Sequence, residues 1–576
     1  MAHSSSAASQ APPAAVPPGC LGADDVDIIF DEGVSPLSRQ LLEGIIRRTF
    51  TEKAQVTRLI REGADPRASG VARVRGTMGG APFPFSRYSC LSFAIDSPSN
   101  YPFLYAGFGI RHCPPYKWMP VLFPQWPSRQ LQRDIMDALI DGGADINAGG
   151  DDRPIMVAIR AGNMTAVEAL LARQANVRGI WGPVMQLPYF GGAAPSATRE
   201  YEDALMSIYG RLLQHDSTLA AERSGGDSLV GEAAVAPSIF SQQFIDQYLT
   251  LITSHGVDMT ARDPVGYTPL HLEAFRGSPF LAEWLCRRIT ADDVNRGRPP
   301  QPHRTPLAAA AIALDHLIEE QQQQGEYRSR RIGEHKTITR TLLRGGAAQS
   351  IARMPTAREV DRRRRQLVLT EYATVLSELS EAVMSAINAA LAPQRDHSML
   401  LARLLPLAPH HDGAHPHPSP SNMAFGPHEA EAIAWKIGAF LHDPSAAVAA
   451  IDEYLIGDAQ LRRRVRAAVG HFVKTAATRT SSNREVVGGM ASVGGVMVRV
   501  PLQCFAVRGS GGRVVGMTGV REVIHRARLD EAVSCGVVGV VKGFNEHLGD
   551  HDCQFACRQL GRIDRKTGLF VALGID

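Results

Sequence analysis

The sequence predicts a mainly α protein: a solenoid of helix–turn–helix units, then further helices, then a small C-terminal α/β domain. Three observations carry this. Between residues 37 and 351, pairs of apolar helical stretches repeatedly end in Gly-Ala-Asp or a close variant. Past residue 356, apolar residues recur at spacings of three to five over a long segment. From residue 481 the chain turns Gly/Val-rich with alternating runs, the pattern of short strands joined by glycine turns.

A chain of 576 residues is too long for one core; at roughly 100–200 residues per domain it needs several packing units or an extended array. Hydrophobic residues make up 44% and aromatics only 6%, so the core rests on Leu, Ala, Val and Ile, which suits closely packed helix pairs. Lys+Arg number 61 against 58 Asp+Glu, a formal charge of +3. That balance gives no electrostatic case for nucleic acid, and no nucleic-acid partner is expected. Eight scattered cysteines do not form a disulfide framework; they suit a reducing compartment, the cytoplasm with the nucleus as a further option. Residues 1–36 begin Ala/Pro/Ser-rich without a basic start and apolar stretch, so they are read as an unordered leader and not a secretory signal. No run of about 20 apolar residues appears, and no membrane span is expected.

The array at 37–351 is read from its openings and endings. The openings are YSCLSFAI at 88–95, RPIMVAIRAG at 153–162, GYTPLHLEAFRG at 266–277 and RTPLAAAA at 304–311. The endings include REGADPRA at 61–68, DGGADINA at 141–148, SHGVDMTA at 254–261 and RGGAAQS at 344–350. In the unit at 149–180, Ile155, Val157, Ala158 and Ile159 form the face of a first helix that Gly162 ends. Val167, Leu170 and Leu171 form the face of a second. Neither face can be buried alone, and stacked neighbours bury both. About seven units fit between 37 and 351, the two between 181 and 262 being degenerate.

These openings and endings resemble the ankyrin repeat, with its unit of about 33 residues and T-P-L-H-x-A signature. The resemblance implies that Thr268 caps a first helix, Pro269 sits in its first turn, Leu270 points inward and His271 serves local hydrogen bonding. Glu273 departs from the pattern, which wants alanine there. A glutamate at a packed position is costly unless paired or tilted outward. An acid/base role for His271 and Glu273 would need a cleft and a third partner that the sequence does not offer. The family's binding groove implies contact residues in the finger loops: Asp145, Asn147, Asp152, Asn176, Arg178, Asp258, Arg262, Tyr267 and Asn295. Their mixed charge points to a protein or peptide partner.

Insertions interrupt the array at 96–130, 186–200 and 319–335. The first is rich in aromatics and proline. Its Tyr105, Tyr116, Trp118, Phe123 and Trp126 are candidate contact residues, since exposed aromatics mark interaction sites. The competing reading is a loop folded back on its own small core. Residues 352–406 form a helical segment, 407–425 a His/Pro-rich linker with His410, His411, His415 and His417, and 426–480 further helices.

In the domain at 481–576, His547, His551, Cys553 and Cys557 are competent zinc ligands, but all four fall within one short segment, which seldom encloses a metal unaided. RGSGGRVVG at 508–516 lacks the ending of a phosphate loop and reads as a turn between strands; GVVGVV at 536–541 reads as a buried strand. The basic runs DRRRRQ at 361–366 and LRRRVR at 461–466 read as solvated helix faces, with an import or acidic-partner signal as the alternative. No catalytic residue, cofactor or metal is expected. The function expected is a protein-interaction scaffold or adaptor. The alternatives are an adaptor-enzyme with metal-assisted chemistry at its C-terminal end and a homo-oligomer joined, coiled-coil fashion, through the helix at 356–391.

Overall fold

The computed structural model describes residues 16–30, 33–76, 87–108, 117–178, 182–188, 195–233, 239–319, 326–407, 427–441, 443–457, 459–477, 490–493, 496–499, 502–544, 553–564 and 566–575. The chain is mainly helical with small sheets. It divides into two units, Met1–Leu272 and Glu273–Asp576.

The first unit holds α1 (Pro36–Ile46), α2 (Lys53–Arg61), α3 (Cys90–Phe93), α4 (Arg129–Asp141), α5 (Pro154–Arg160), α6 (Met164–Ala172), α7 (Arg199–His215), α8 (Leu229–Ala233) and α9 (Gln242–Ser254). Six of these starts carry a Ser, Thr or Asn whose side chain accepts a backbone N–H of the first turn: Ser35, Ser89, Ser128, Asn163, Thr198 and Ser241. The packing runs in two columns. α1 meets α3 and α3 meets α5; α2 meets α4, α4 meets α6, α6 meets α7 and α7 meets α9.

Four helix ends in these columns share one hydrogen-bond pattern. Gly63, Gly143, Gln174 and Gly256 take positive φ. The next residue, Ala64, Ala144, Ala175 or Val257, donates back to Leu59, Leu139, Leu170 or Ile252, which satisfies carbonyls the helix leaves open. One residue further on, Asp65, Asp145, Asn176 or Asp258 accepts the backbone N–H two places ahead at 2.8–2.9 Å. The Gly-Ala-Asp endings are this turn, with Gln174 in the left-handed position that glycine holds elsewhere.

The sequence did not disclose the sheet. β1 (Val26–Phe30), β2 (Ser69–Val74), β3 (Arg87–Ser89), β4 (Leu104–Phe108) and β5 (Lys117–Val121) form one sheet in the order β1-β2-β4-β5, with β3 also on β2. β1 and β2 are antiparallel, β2 and β4 parallel, β4 and β5 antiparallel. Leu21 adds a bridge to Val121, donating to Pro120 O at 2.9 Å and accepting from Leu122 at 2.9 Å. Val26–Phe30 thus corrects the reading of 1–36 as an unordered leader: it pairs with β2 from Gly70 to Val74, while residues 1–15 lie outside the described residues. A minor hairpin, β6 (Arg223–Ser224) with β7 (Asp227–Ser228), precedes α8.

The insertion at 96–130 is tied to the columns by Arg48. Its guanidinium donates to four backbone carbonyls: Ile45 at 2.7 Å, Phe93 at 2.6 Å, Ile95 at 2.9 Å and Pro124 at 2.8 Å. It lies 4.8 Å from the Trp126 ring centroid. Burial pulls its pKa down to about 10, with Asp96 opposing. A second buried network joins the insertion to α4 and α6. Asn163 Nδ2 donates to Asp96 O and Oδ1, both at 2.9 Å, and to Gln132 Oε1 at 3.1 Å.

α10 (Pro269–Arg276) crosses the division. The second unit continues with α11 (Pro279–Cys286), α12 (Ala291–Val294), α13 (Pro306–Glu319), α14 (Glu326–Arg344), α15 (Glu359–Leu404), α16 (Pro427–Gly438), α17 (Pro444–Tyr454) and α18 (Gln460–Ala477). β8 (Met490–Val493) and β9 (Val496–Arg499) make a hairpin; β10 (Gln503–Arg508), β11 (Val514–Gly519), β12 (Leu560–Ile563) and β13 (Phe570–Ala572) make an antiparallel sheet in the order β11-β10-β12-β13. α19 (Val520–Cys535) follows β11 directly. RGSGGRVVG is the β10–β11 turn, with Gly509 donating to Arg513 O at 2.8 Å. The residues at 326–335, expected as an insertion, are the first half of α14. GVVGVV is not a buried strand: it has no strand pairing, and Val538 and Val541 are 82% and 59% exposed.

α15 is the spine of this unit. By length and composition its segment is apolar enough to cross a membrane. In the fold, Tyr372, Val375, Leu376, Leu379, Val383 and Ile387 are buried, and the helix packs on α13, α14, α16, α17, α18 and α19. The apolar stripe is therefore occupied within the chain, which corrects its reading as a self-association seam. The basic run at its start is partly solvated but also tied to neighbouring carboxylates. Arg363 and Arg364 both pair with Asp315, at 2.6 Å and 2.8 Å, and Asp315 is fully buried on α13. Arg363 also reaches Glu319, and Arg362 pairs with Glu359. In the second run Arg462 and Arg466 pair with Asp452, and Arg464 with Asp530.

Two outcomes follow for stability. Arg48→Met leaves the Phe93, Ile95 and Pro124 carbonyls without their guanidinium donor, while Ile45 O keeps the residue-48 backbone N–H, and lowers unfolding free energy by about 3 kcal/mol or more, read by urea denaturation. Asp315→Asn removes the buried carboxylate shared by the partly exposed Arg363 and Arg364, and lowers stability at neutral pH, read by urea denaturation. Burial alone would raise the Asp315 carboxyl, but the two arginines hold it below the usual range. Its stabilisation is present above the unfolded value, about pH 4, and fades as pH falls through the lower native value. The mutant and parent curves should converge there.

Candidate functional site

GYTPLHLEAFRG presents no acid/base pair. Gly266 closes a tight turn in which the Asp263 carboxylate accepts the N–H groups of Val265 and Tyr267 at 2.9 Å and 2.7 Å. His271 is buried, and its Nδ1 accepts from the Thr268 N–H at 3.2 Å, with the Thr268 hydroxyl at 2.8 Å. The imidazole is thereby committed to its own helix start. Glu273 is fully buried one turn on; its Oε1 accepts the Ser278 N–H, and its Oε2 has no hydrogen-bond partner. Burial pushes its carboxyl well above the usual range, against the Ser278 hydrogen bond and the Arg331 charge. Gly277, at φ +99°, lets His335 approach: a Cβ there would lie 2.6 Å from the ring.

The finger residues separate into two groups. Asp145, Asn147, Asn176, Arg178 and Asp258 are exposed at the turns described above, and Arg262 and Tyr267 are half-buried beside them. The structure brings some together. Asn147 Oδ1 accepts the Asn176 N–H at 2.8 Å, a strap from one turn to the next. Arg178 bonds Asp216, Thr218 and Glu222, the last at 2.9 Å, and so is already neutralised. Tyr267 lies 5.6 Å from the His271 ring, and Arg262 reaches Gly266 O at 3.4 Å. Asp152 and Asn295 do not belong to this edge. Asp152 is buried and paired with Arg160. Asn295, 2% exposed in the second unit, donates to Ala291 O at 2.7 Å and Gly346 O at 2.9 Å and accepts from Ser350 at 2.5 Å. Both are framework residues, which corrects their assignment as contacts.

The aromatic insertion folds inward. Phe123 is 2% and Trp126 5% exposed, so neither offers a contact face. The Trp126 indole donates to Ala94 O at 2.8 Å and its backbone N–H to Asp96 at 2.8 Å. Tyr105 is half-buried on β4; burial pushes its hydroxyl far up, against the pull of Arg160. Tyr101 stacks on Tyr201 at 4.1 Å and donates to Pro195 O at 2.7 Å. Tyr116 and the side chain of Trp118 lie outside the described residues.

At the C-terminal end, Cys553 and Cys557 are buried, and the Cys557 thiol donates to Asp530 at 3.6 Å. Burial pushes that thiol up to about 11. His547, His551 and the four linker histidines lie outside the described residues. Among the described residues no group of three or more His, Cys, Asp or Glu side chains is placed to hold a metal.

Sequence reasoning missed Arg48 and the tie of Arg363 and Arg364 to Asp315, because Phe93, Ile95, Pro124 and Asp315 lie more than forty residues away. No known protein family matches the chain, and no curated protein matches it.

Glu273 yields a pH test. A raised native carboxyl pKa means that stability is highest below the unfolded value, about 4.3, and falls as pH rises toward the native one. Glu273→Gln keeps the shape and removes the charge. It should match the parent near pH 4 and exceed it at pH 8, read as urea midpoints at the two pH values.

Proposed function

We propose that the first unit is an ankyrin-like solenoid and that the chain is a binding scaffold, which engages a protein or peptide partner through the edge of its turns. The observation that carries this reading is the fourfold turn at Asp65, Asp145, Asn176 and Asp258. Each turn closes its helix end through one Asp or Asn side chain and leaves neighbouring side chains exposed at its outer edge. Exposed residues accordingly recur at one place on successive helix pairs, the arrangement by which repeat arrays separate framework from contact. Asp145, Asn147, Asn176 and Asp258 are the contact residues of this reading, with Tyr267 at the margin. The partner accepts both acidic and amide side chains. Catalysis is no part of this reading, because the histidine of the clearest repeat accepts from its own helix start and the glutamate is fully buried on the Ser278 N–H.

The test uses a photo-reactive amino acid placed singly in the full-length chain. Arg67 and Val265 are exposed on turns, and Glu168 is exposed on α6, away from them. The reading expects a discrete cross-linked partner from positions 67 and 265 and none from 168. Equal yield from all three positions, or cross-links from 168 alone, would overturn it.

A further inference from the structure

The second unit has a partly open cavity of about 330 Å3 where four distant segments meet. They are the end of α14 with the residues after it, α15, the junction of α17 with α18, and the last turn of α19. The size falls within the roughly 300–1,000 Å3 of small-ligand sites.

Two opposite charges line this cavity, and among the described residues neither has an ion-pair partner. Arg344 ends α14. Its Nε is buried without a hydrogen-bond partner, its Nη2 reaches only the Thr341 hydroxyl at 3.3 Å, and its guanidinium lies 5.5 Å from the Tyr454 ring centroid. Glu531, on α19, accepts from the Tyr372 hydroxyl at 2.6 Å and lies 3.8 Å from the Cys535 sulfur. The other lining arginine, Arg462, is committed to Asp452 and Gly457 O. Leu343, Leu455 and Leu461 supply apolar wall. The start of α18 favours negative charge and the end of α19 positive charge, while the end of α14 is met by Arg344 itself.

A cation and an anion without an ion-pair partner among the described residues, on one small, partly apolar cavity, are complementary to a ligand carrying both charges. We propose that this cavity binds a free α-amino acid with an aliphatic side chain, its carboxylate on Arg344 and its ammonium on Glu531. The leucines take the side chain, and the Tyr372 hydroxyl fixes the Glu531 carboxylate in place. The inference is independent of the scaffold reading, since it concerns only the second unit.

Calorimetric titration of the full chain with L-leucine tests it, with L-leucinamide and N-acetyl-L-leucine as ligands that lack one charge each. The expected result is saturable binding of L-leucine and at least tenfold weaker binding of both derivatives. Arg344→Gln and Glu531→Gln should each weaken L-leucine by about thirtyfold or more, the loss typical when one side of a hydrogen-bonded charge pair is removed. Circular dichroism reports whether each variant folds. If a variant does not, the two blocked ligands still decide the matter on the parent protein. No binding of L-leucine, or derivatives that bind as well as L-leucine, would overturn the proposal.

Discussion

Every helix leaves its last carbonyls without donors, and helices can be stacked side by side only if something other than the neighbouring helix supplies them. In the first unit that supply is local. A left-handed residue, a small apolar residue and an Asp or Asn close the end of each of four helices before the chain moves on. The columns rest on this. The side faces of the helices are left to bury apolar residues, and the turn edge is left to polar ones. Where the insertion at 96–130 interrupts the regular spacing, the same demand returns, and a single buried guanidinium, Arg48, supplies four carbonyls at once.

What the sequence disclosed was what is decided within a few residues. Ser, Thr and Asn at helix starts, the Gly-Ala-Asp endings, the periodic stripe of α15 and the glycine turn between β10 and β11 all fold as their local chemistry dictates. What stayed hidden depends on distant partners. β2 pairs with β1 and β4 across dozens of intervening residues, and β5 contains a proline that argues against a strand on propensity alone. Asp315 meets Arg363 and Arg364 from another helix, so a run that looks merely solvated in sequence is also a tie to a buried carboxylate.

The candidate site was legible in the same proportion. Asp145, Asn147, Asn176 and Asp258 were identified through the turns that present them, and the structure leaves them exposed. Asp152, Asn295, Phe123 and Trp126 stood at equally suggestive places, but burial is a property of what packs over a residue, and nothing nearby in sequence reports it. The cavity of the second unit was invisible for the same reason. Arg344, Tyr372 and Glu531 belong to separate helices, and Tyr372 read simply as one more member of an apolar stripe.

The bridge at Leu21 bears on how the molecule avoids sticking to itself. β5 is an outer strand, and an outer strand offers unpaired backbone groups to any chain that can lie alongside it. Pro120 removes one of those donors, and Leu21 takes the Pro120 carbonyl and supplies the acceptor for the Leu122 N–H. The short stretch before β1, the least structured part of the sequence to the eye, thus acts as a cover strip against edge-to-edge aggregation. Trimming the chain past residue 21 would leave the sheet folded but its border open, so the harm would be a loss of solubility before any loss of fold.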